Sequence, residues 1–337
     1  MLQDLRFALR ALRATPIVTA SAILSLALGI GANTAIFSVV NAILLRPLRA
    51  PDADRLVRFA ETYHGTPSWS IDLARYNQWR QETSAFDDIS AHWSELANLT
   101  NGSYPEQVSV GRVTAGFFGL FGARAIKGHV FAADEDRPGG RPVVVLSHEL
   151  WRRQFAADPE IVGKAVVLGG ESRSVVGVIA PNFDSEQFAD RPDVWIPFQI
   201  DPNAPEKGPL CYVTGRLRSD VTVDAAQAEL QIVTKNMPRP GEPTDVSRSA
   251  LAVPLQEAMV GDIRSGLLIL ASAVGCVLLI ACANVAGLLL IRAVDQRRDV
   301  AIRAAIGAAR SRIARQVLFE SLVMALVSGV LALFLGT

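Results

Sequence analysis

Three short clusters hold the side chains best suited to chemistry. Asp134, Glu135 and Asp136 stand in a row before Arg137-Pro138-Gly139-Gly140. Adjacent carboxylates suit a hard cation, but this run lacks alternating ligand spacing and an internal turn glycine, so it reads as a solvated loop. His148-Glu149 opens like the helix of a zinc hydrolase, yet position 152, where the second histidine would fall, is Arg152. Gly163-Lys164-Ala165 lacks both the preceding glycine and the hydroxyl that a phosphate-binding loop needs. No serine stands in a Gly-x-Ser-x-Gly setting. No catalytic, cofactor-binding or metal-binding residue emerges from these motifs, and no ATP hydrolysis and no cofactor are expected.

The elements that would carry any function are apolar. Between Arg13 and Arg46 lie 32 residues without a charge, and between Arg264 and Arg292 lie 27. Each run exceeds the roughly 20 helical residues that cross a bilayer core. Mean hydropathy is +0.26 over the 337 residues, a sign expected of a membrane protein. The 33 basic and 33 acidic residues cancel overall, but the stretch from Pro47 to Ile263 holds 21 basic against 29 acidic. An acidic large domain argues against nucleic acid as a partner. Cys211, Cys276 and Cys282 do not form a disulfide framework.

Arginine placement orients the spans. Arg6, Arg10 and Arg13 precede the first run, with Leu5, Leu9 and Leu12 on one helical face. Seven basic residues from Arg292 to Arg315 follow the second, opposed by Asp295 and Asp299. The positive-inside rule puts both ends in the cytoplasm and the intervening 217 residues outside it. The first run is too long for a signal-peptide core and lacks a cleavage-like sequence, so it reads as an anchor. The expected division is a cytoplasmic amphipathic stub at 1–16, transmembrane helix 1 at 17–46, an outer domain at 47–263, transmembrane helix 2 at 265–291, a cytoplasmic connector at 292–316 and an incomplete transmembrane helix 3 at 317–337. The uncharged 17 residues from Ser321 would span only about 25 Å, so the chain reads as an N-terminal fragment.

The outer domain predicts an α+β fold. A strand at Leu56–Phe59, a helix from Ile71 to Glu82 capped by Ser70, and strand material at Phe86–Trp93 open it. A strand at Tyr212–Leu217, a helix from Val223 to Asn236 capped by Thr222, and a strand at Ala250–Leu255 close it. Between them, Val143–Leu146 reads as a buried strand before a helix capped by Ser147. Val166–Leu168 and Val175–Val178 form a hairpin across Gly169-Gly170. Two lobes are expected, the strand-rich one inserted into the other.

Two patterns in the membrane part carry the functional expectation. Ala27, Gly31 and Ala35 recur every four residues beside Gly29, and Asn33 and Asn41 are polar within the same span. Asn284 and Gly287 form a similar arrangement in the second span. Small residues at that spacing allow close helix approach in lipid; bundle contact and a substrate-lining role both fit. In the connector, Arg297-Arg298 precede Val300, Ile302, Arg303, Ala305 and Ile306, with a break at Gly307 and further basic residues at Arg310, Arg312 and Arg315. Such a helix suits a partner's groove or a membrane surface.

Several motifs resemble a known family. Leu26 to Ser38 followed by Leu44-Leu45-Arg46-Pro47-Leu48 is similar to the start of MacB-like permeases, most of all the acidobacterial duplicated orphan permease group. Asp134 to Gly140, Val143 to Ser147 and Asp193-Val194-Trp195-Ile196-Pro197 resemble the MacB-like periplasmic core domain. Arg298 to Ala308 resembles the connector of FtsX-like permease domains. The resemblance implies four spans per permease unit, a porter-like lobe with an inserted strand-rich lobe, and dimerisation or duplication of the permease unit. It also implies a separate ABC ATPase that docks on the connector at Arg298, Val300, Ile302, Arg303, Ala305, Ile306 and Gly307. The expected function is a non-catalytic permease subunit of a mechanotransmitting ABC transporter in the bacterial inner membrane, acting on periplasmic substrates. The alternative is an anchored periplasmic binding or sensing module without transport.

Overall fold

The computed structural model describes residues 16–41, 48, 50–100, 105–181, 183, 191–201, 210–236, 248–295 and 310–336. The chain divides into two units, Pro47–Met259 and a second made of Met1–Arg46 with Val260–Thr337.

The first unit opens with β1 (Leu56–Tyr63), short strands β2 (Thr66–Ser68) and β3 (Ile71–Asp72), helix α2 (Leu73–Glu82) and the long strand β4 (Phe86–Thr100). Its helix starts two residues later than Ser70 capping predicts. Asp72 is the cap, its carboxylate accepting the N–H of Arg75 at 2.8 Å. Ile71, β-branched and buried, pairs instead with Cys211 as a strand. At the other end come β11 (Leu210–Leu217), α5 (Val223–Asn236) and β12 (Arg248–Pro254). Thr222 Oγ1 accepts the N–H of Ala225 at 3.3 Å, the expected cap.

These segments interlock. The strand order is β12-β1-β11-β4, every neighbour antiparallel, with Leu56 opposite Arg216 and Phe59 opposite Ala252. Two βαβ units so arranged make the ferredoxin-like split βαβ layout. Their helices bury Trp79, Tyr76, Leu230 and Val233 against Phe59, Val57, Ala91 and Val213 in one core. This is the porter-like lobe.

The inserted lobe leaves through β4, which continues past Trp93 and pairs with β5 (Pro105–Val113), Leu96 facing Ser109. It adds α3 (Phe117–Phe121), β6 (Ala125–Gly128), β7 (Val143–Leu146), α4 (His148–Phe155), β8 (Ala165–Leu168), β9 (Glu171–Ile179) and β10 (Val194–Pro197). The sheet path runs on as β4-β5-β10-β7-β9-β6. Strands β7 and β9 are parallel with α4 between them in sequence, and β5 and β10 are parallel too. Ser147 caps α4, its hydroxyl accepting from Leu150 N at 3.0 Å. The β8–β9 hairpin turns at Gly169 (φ 60°) and Gly170 (φ 85°), two left-handed positions that a tight two-residue turn requires. The Asn101-Gly102 turn signal falls outside the described residues.

The second unit is helical. Helix α1 covers Pro16–Val40, α6 covers Leu255–Asp295 and belongs to it from Val260 onward, and α7 covers Arg310–Gly336. Thr19–Val40 and Ile263–Leu288 are long and apolar enough to cross a membrane, and Leu322–Phe334 is a shorter apolar segment.

Candidate functional site

The small residues of α1 lie where other helices come close. A Cβ on Gly29 would stand 3.2 Å from Leu278 Cδ1 and 3.4 Å from Ala281 Cβ of α6. On the neighbouring face, a Cβ on Gly31 would stand 3.5 Å from the carbonyl oxygen of Ala332 of α7. Ala22 and Ala27 are buried, and Ala22 packs in one cluster with Val285 and Met324. Asn33 and Ala35 are half-buried. One span thus carries two glycine contacts two residues apart, one toward α6 and one toward α7. Asn284 and Gly287 are exposed, and a Cβ at 287 would meet nothing within 4 Å. Leu24, Leu28, Phe37, Ile269, Leu279 and Phe334 form part of the apolar exterior that lipid would cover.

The connector residues Arg298, Val300, Ile302, Arg303, Ala305, Ile306 and Gly307 lie outside the described residues. What precedes them is a helix of 41 residues without a break. Its first residue, Leu255, is fully buried in the core that contains Phe117, Phe118 and Trp195. Its last, Asp295, stands next to the connector.

In the outer unit the carboxylates fasten chain segments together. The Asp134-Glu135-Asp136 run is not a solvated loop: Glu135 is 2% exposed and accepts the N–H of Ala132 at 3.0 Å. Asp136 accepts from Ala115 N at 2.8 Å through one oxygen and from Gln199 N at 2.9 Å through the other. It therefore clamps the entry of α3 to the exit of β10. Burial pushes its carboxyl above the usual range, while those N–H donors oppose the shift. Inside the porter-like lobe, Arg75 Nε donates to Glu61 Oε1 at 2.6 Å, Gln78 Nε2 donates to Val233 O at 2.8 Å and Trp79 Nε1 to Thr234 Oγ1 at 2.9 Å. Glu229 of α5 accepts from Ser84 N at 2.6 Å and Ala85 N at 2.9 Å. Sequence reasoning missed all these ties. The available signal was Glu61, a lone acid inside the apolar run of β1.

Arg58 also lies on β1, one residue out of step with Val57, Phe59 and Glu61 and so on the other face of the sheet. Its guanidinium sits 5.1 Å over the ring of Tyr212, which stacks on Trp93 at 5.6 Å. Burial lowers its pKa from the ordinary arginine value, with Tyr212 opposing. Lys164 pairs with Asp158, and His148 packs edge-on against Trp151 at 5.8 Å. Among the described residues no group of three or more His, Cys, Asp or Glu is placed to hold a metal ion. Burial lifts the Cys211 thiol far up and the Tyr76 hydroxyl to about 12, so neither is activated.

What the geometry leaves is a helical bundle in one unit and a clamped, two-lobed domain in the other. The family model described as the MacB-like periplasmic core domain matches residues 19–233. The chain belongs to the MacB-like periplasmic core domain family. A second model, the FtsX-like permease C-terminal, matches residues 271–337. Among MacB relatives, the macrolide export ATP-binding/permease protein MacB of Escherichia coli O6:K15:H31 is 23% identical over 350 residues, covering 99% of this chain and 52% of that protein. The MacB of Photorhabdus laumondii is 24% identical over 230 residues, covering 65% of this chain and 33% of that protein. The chain thus spans between a third and about half the length of these relatives. The crystal structure of the periplasmic region of MacB from Actinobacillus actinomycetemcomitans aligns with TM-score 0.46 at 13% identity, covering 68% of this chain and 97% of that one. An extracellular domain of the ABC-type transporter YknZ aligns with TM-score 0.45 at 11% identity, covering 59% and 99%. The matches do not single out the acidobacterial group.

Proposed function

We propose that this chain is the permease part of an ABC transporter of the MacB type, set in the bacterial inner membrane with its outer domain in the periplasm. A separate ATPase docks on the connector from the cytoplasm, at the apolar patch of Val300, Ile302, Ala305 and Ile306 between basic clusters. Nucleotide-driven movement of that partner is passed through the spans to the outer domain, which acts on material in the periplasm. A second permease unit, as a dimer partner or a duplicated half, completes the bundle at the exposed Asn284 and Gly287.

The observation that carries this reading is α6. It is continuous from Leu255, buried in the outer core, through the apolar span Ile263–Leu288, to Asp295 beside the connector. A helix without a loop along its length is the element suited to pass movement from the connector toward the outer domain.

The test replaces Ile302 and Ile306 with Asp. The tagged full chain is purified from its native membrane, and bound proteins carrying a phosphate-binding loop are identified by mass spectrometry. An ATPase that accompanies the wild type and is lost from the double variant is expected. A complex unaffected by the change, or no ATPase with either, contradicts the reading.

A further inference from the structure

One buried cluster of the outer unit gathers the chain next to both spans. Leu48 and Ala50, which follow the first span, share it with Leu255 and Met259 at the start of α6 and with the whole apolar surface of α3. Helix α3 reads Phe-Phe-Gly-Leu-Phe, and its four apolar side chains are each 2% exposed or less. A helix of five residues has no stability of its own, and one that is apolar on every side is held by its surroundings. Its position is therefore set by what it touches.

Those contacts reach both lobes and the segment after the first span. Gly122, the left-handed residue that ends α3 at φ 72°, lies against Pro51, and a Cβ there would stand 2.6 Å from Pro51 Cδ. Arg216, on β11 of the porter-like lobe, donates through Nη2 to Leu120 O at 2.6 Å, to Pro51 O at 3.4 Å and to Gly119 O at 3.5 Å. A cation suits the carbonyls that close a helix. Toward the inserted lobe, the Phe118 ring meets Phe131 at 5.4 Å and Trp195 of β10 at 6.1 Å, both edge-on. Phe117 touches both sides, 5.7 Å from His92 of β4 and 6.4 Å from Phe183.

We propose, resting on the transport reading above, that α3 is the joint through which the segments next to the two spans act on the outer domain. Their movement reaches the porter-like lobe through Arg216 and the inserted lobe through Phe118. Close-packed interiors are little compressible, so a displacement at Pro51 or Leu255 shifts α3 instead of being absorbed around it. Because different side chains tie α3 to each lobe, the two responses can be severed one at a time.

The experiment uses the full chain in lipid nanodiscs with its co-purified ATPase, the native cysteines replaced by serine. Spin labels at exposed positions pair Glu257, in the first turn of α6, with Asp224 on α5 or with Glu160 in the inserted lobe. Distances are measured by pulsed electron resonance with and without a non-hydrolysable ATP analogue. In the wild type, nucleotide should change both distances. Arg216→Met should lose at least about half of the change on the Asp224 pair and keep it on the Glu160 pair; Phe118→Leu should do the reverse. Arg216→Lys, which keeps a donor, should recover part of the loss. Melting temperature and retained ATPase verify folding, and Phe118→Met stands in where the leucine variant fails to fold. No ATPase, or two unchanged wild-type distances, would contradict the transport reading and the joint with it. A wild type in which one lobe alone moves, variants that keep the full change, or variants that lose it equally on both pairs would overturn the joint and leave the transport reading standing.

Discussion

Arg75 Nε meets Glu61 Oε1 at 2.6 Å, with both side chains under 10% exposed, so an ion pair rather than an apolar contact joins α2 to β1 in the porter-like lobe. Removing one partner takes from the other buried charge its ion pair. Glu61→Ala and Arg75→Ala should each cost about 3–5 kcal/mol. The apolar pair Glu61→Leu with Arg75→Met should cost much less than their sum. Thermal and chemical unfolding of the four proteins checks this; additive losses would contradict it.

Asp136 makes stability depend on pH. Its carboxyl is lifted above the ordinary 3.8, chiefly by burial. A group whose pKa rises on folding binds its proton more readily when folded. Its contribution is therefore fully present below 3.8 and declines as pH climbs through the folded value. Asn at 136 does not titrate. The stability of wild type relative to Asp136→Asn should fall between about pH 3 and pH 7, and a flat difference would count against the clamp being buried.

Gly128 and Gly177 face each other across the β6–β9 pair. A Cβ at Gly128 would strike the carbonyl oxygen of Val176, and one at Gly177 that of His129. Backbone cannot step aside as a side-chain tip can. Gly128→Ala and Gly177→Ala should each destabilise the outer domain by about 1–3 kcal/mol or more. Gly163→Ala, where a Cβ meets nothing within 4 Å but φ is 89°, should show the cost of backbone strain alone.

In the bundle, Gly29 and Gly31 should respond differently. A methyl at Gly31 makes ordinary contact with Ala332, so Gly31→Ala should leave thermal stability in nanodiscs nearly unchanged. Gly29→Leu drives a branched side chain into Leu278 and Ala281 and should cost about 1–3 kcal/mol. Equal tolerance at both positions would mean that α1 and α6 do not approach as described.

Local signals in the sequence carried local structure. Ser147 and Thr222 read as caps because a hydroxyl before an apolar-periodic run has one favoured use, and Gly169-Gly170 read as a turn because two left-handed residues suit glycine. The sequence reading missed what long-range pairing decides. Strand β1 lies between β11 and β12, more than 150 residues away, and no periodicity within Leu56–Tyr63 names those partners. For the same reason Asp136 read as solvent-facing: its two donors, Ala115 and Gln199, stand 21 and 63 residues off. At Ile71, pairing with Cys211 outweighed the helix signal and moved the cap to Asp72. The glycines of α1 were legible as a stripe, but which helix each one meets depends on packing that the stripe does not encode.

Which side of the membrane the two polar regions occupy decides between a transporter and its alternatives. The direct measurement places single cysteines at Glu160, exposed in the outer domain, and at Arg303 in the connector, with the three native cysteines replaced by serine. Cells are treated with a maleimide that does not cross the inner membrane. Glu160→Cys should react in cells whose outer membrane alone is permeable, and Arg303→Cys only after the inner membrane is opened. The reverse pattern, with residue 160 protected and residue 303 freely labelled, would contradict the transporter reading.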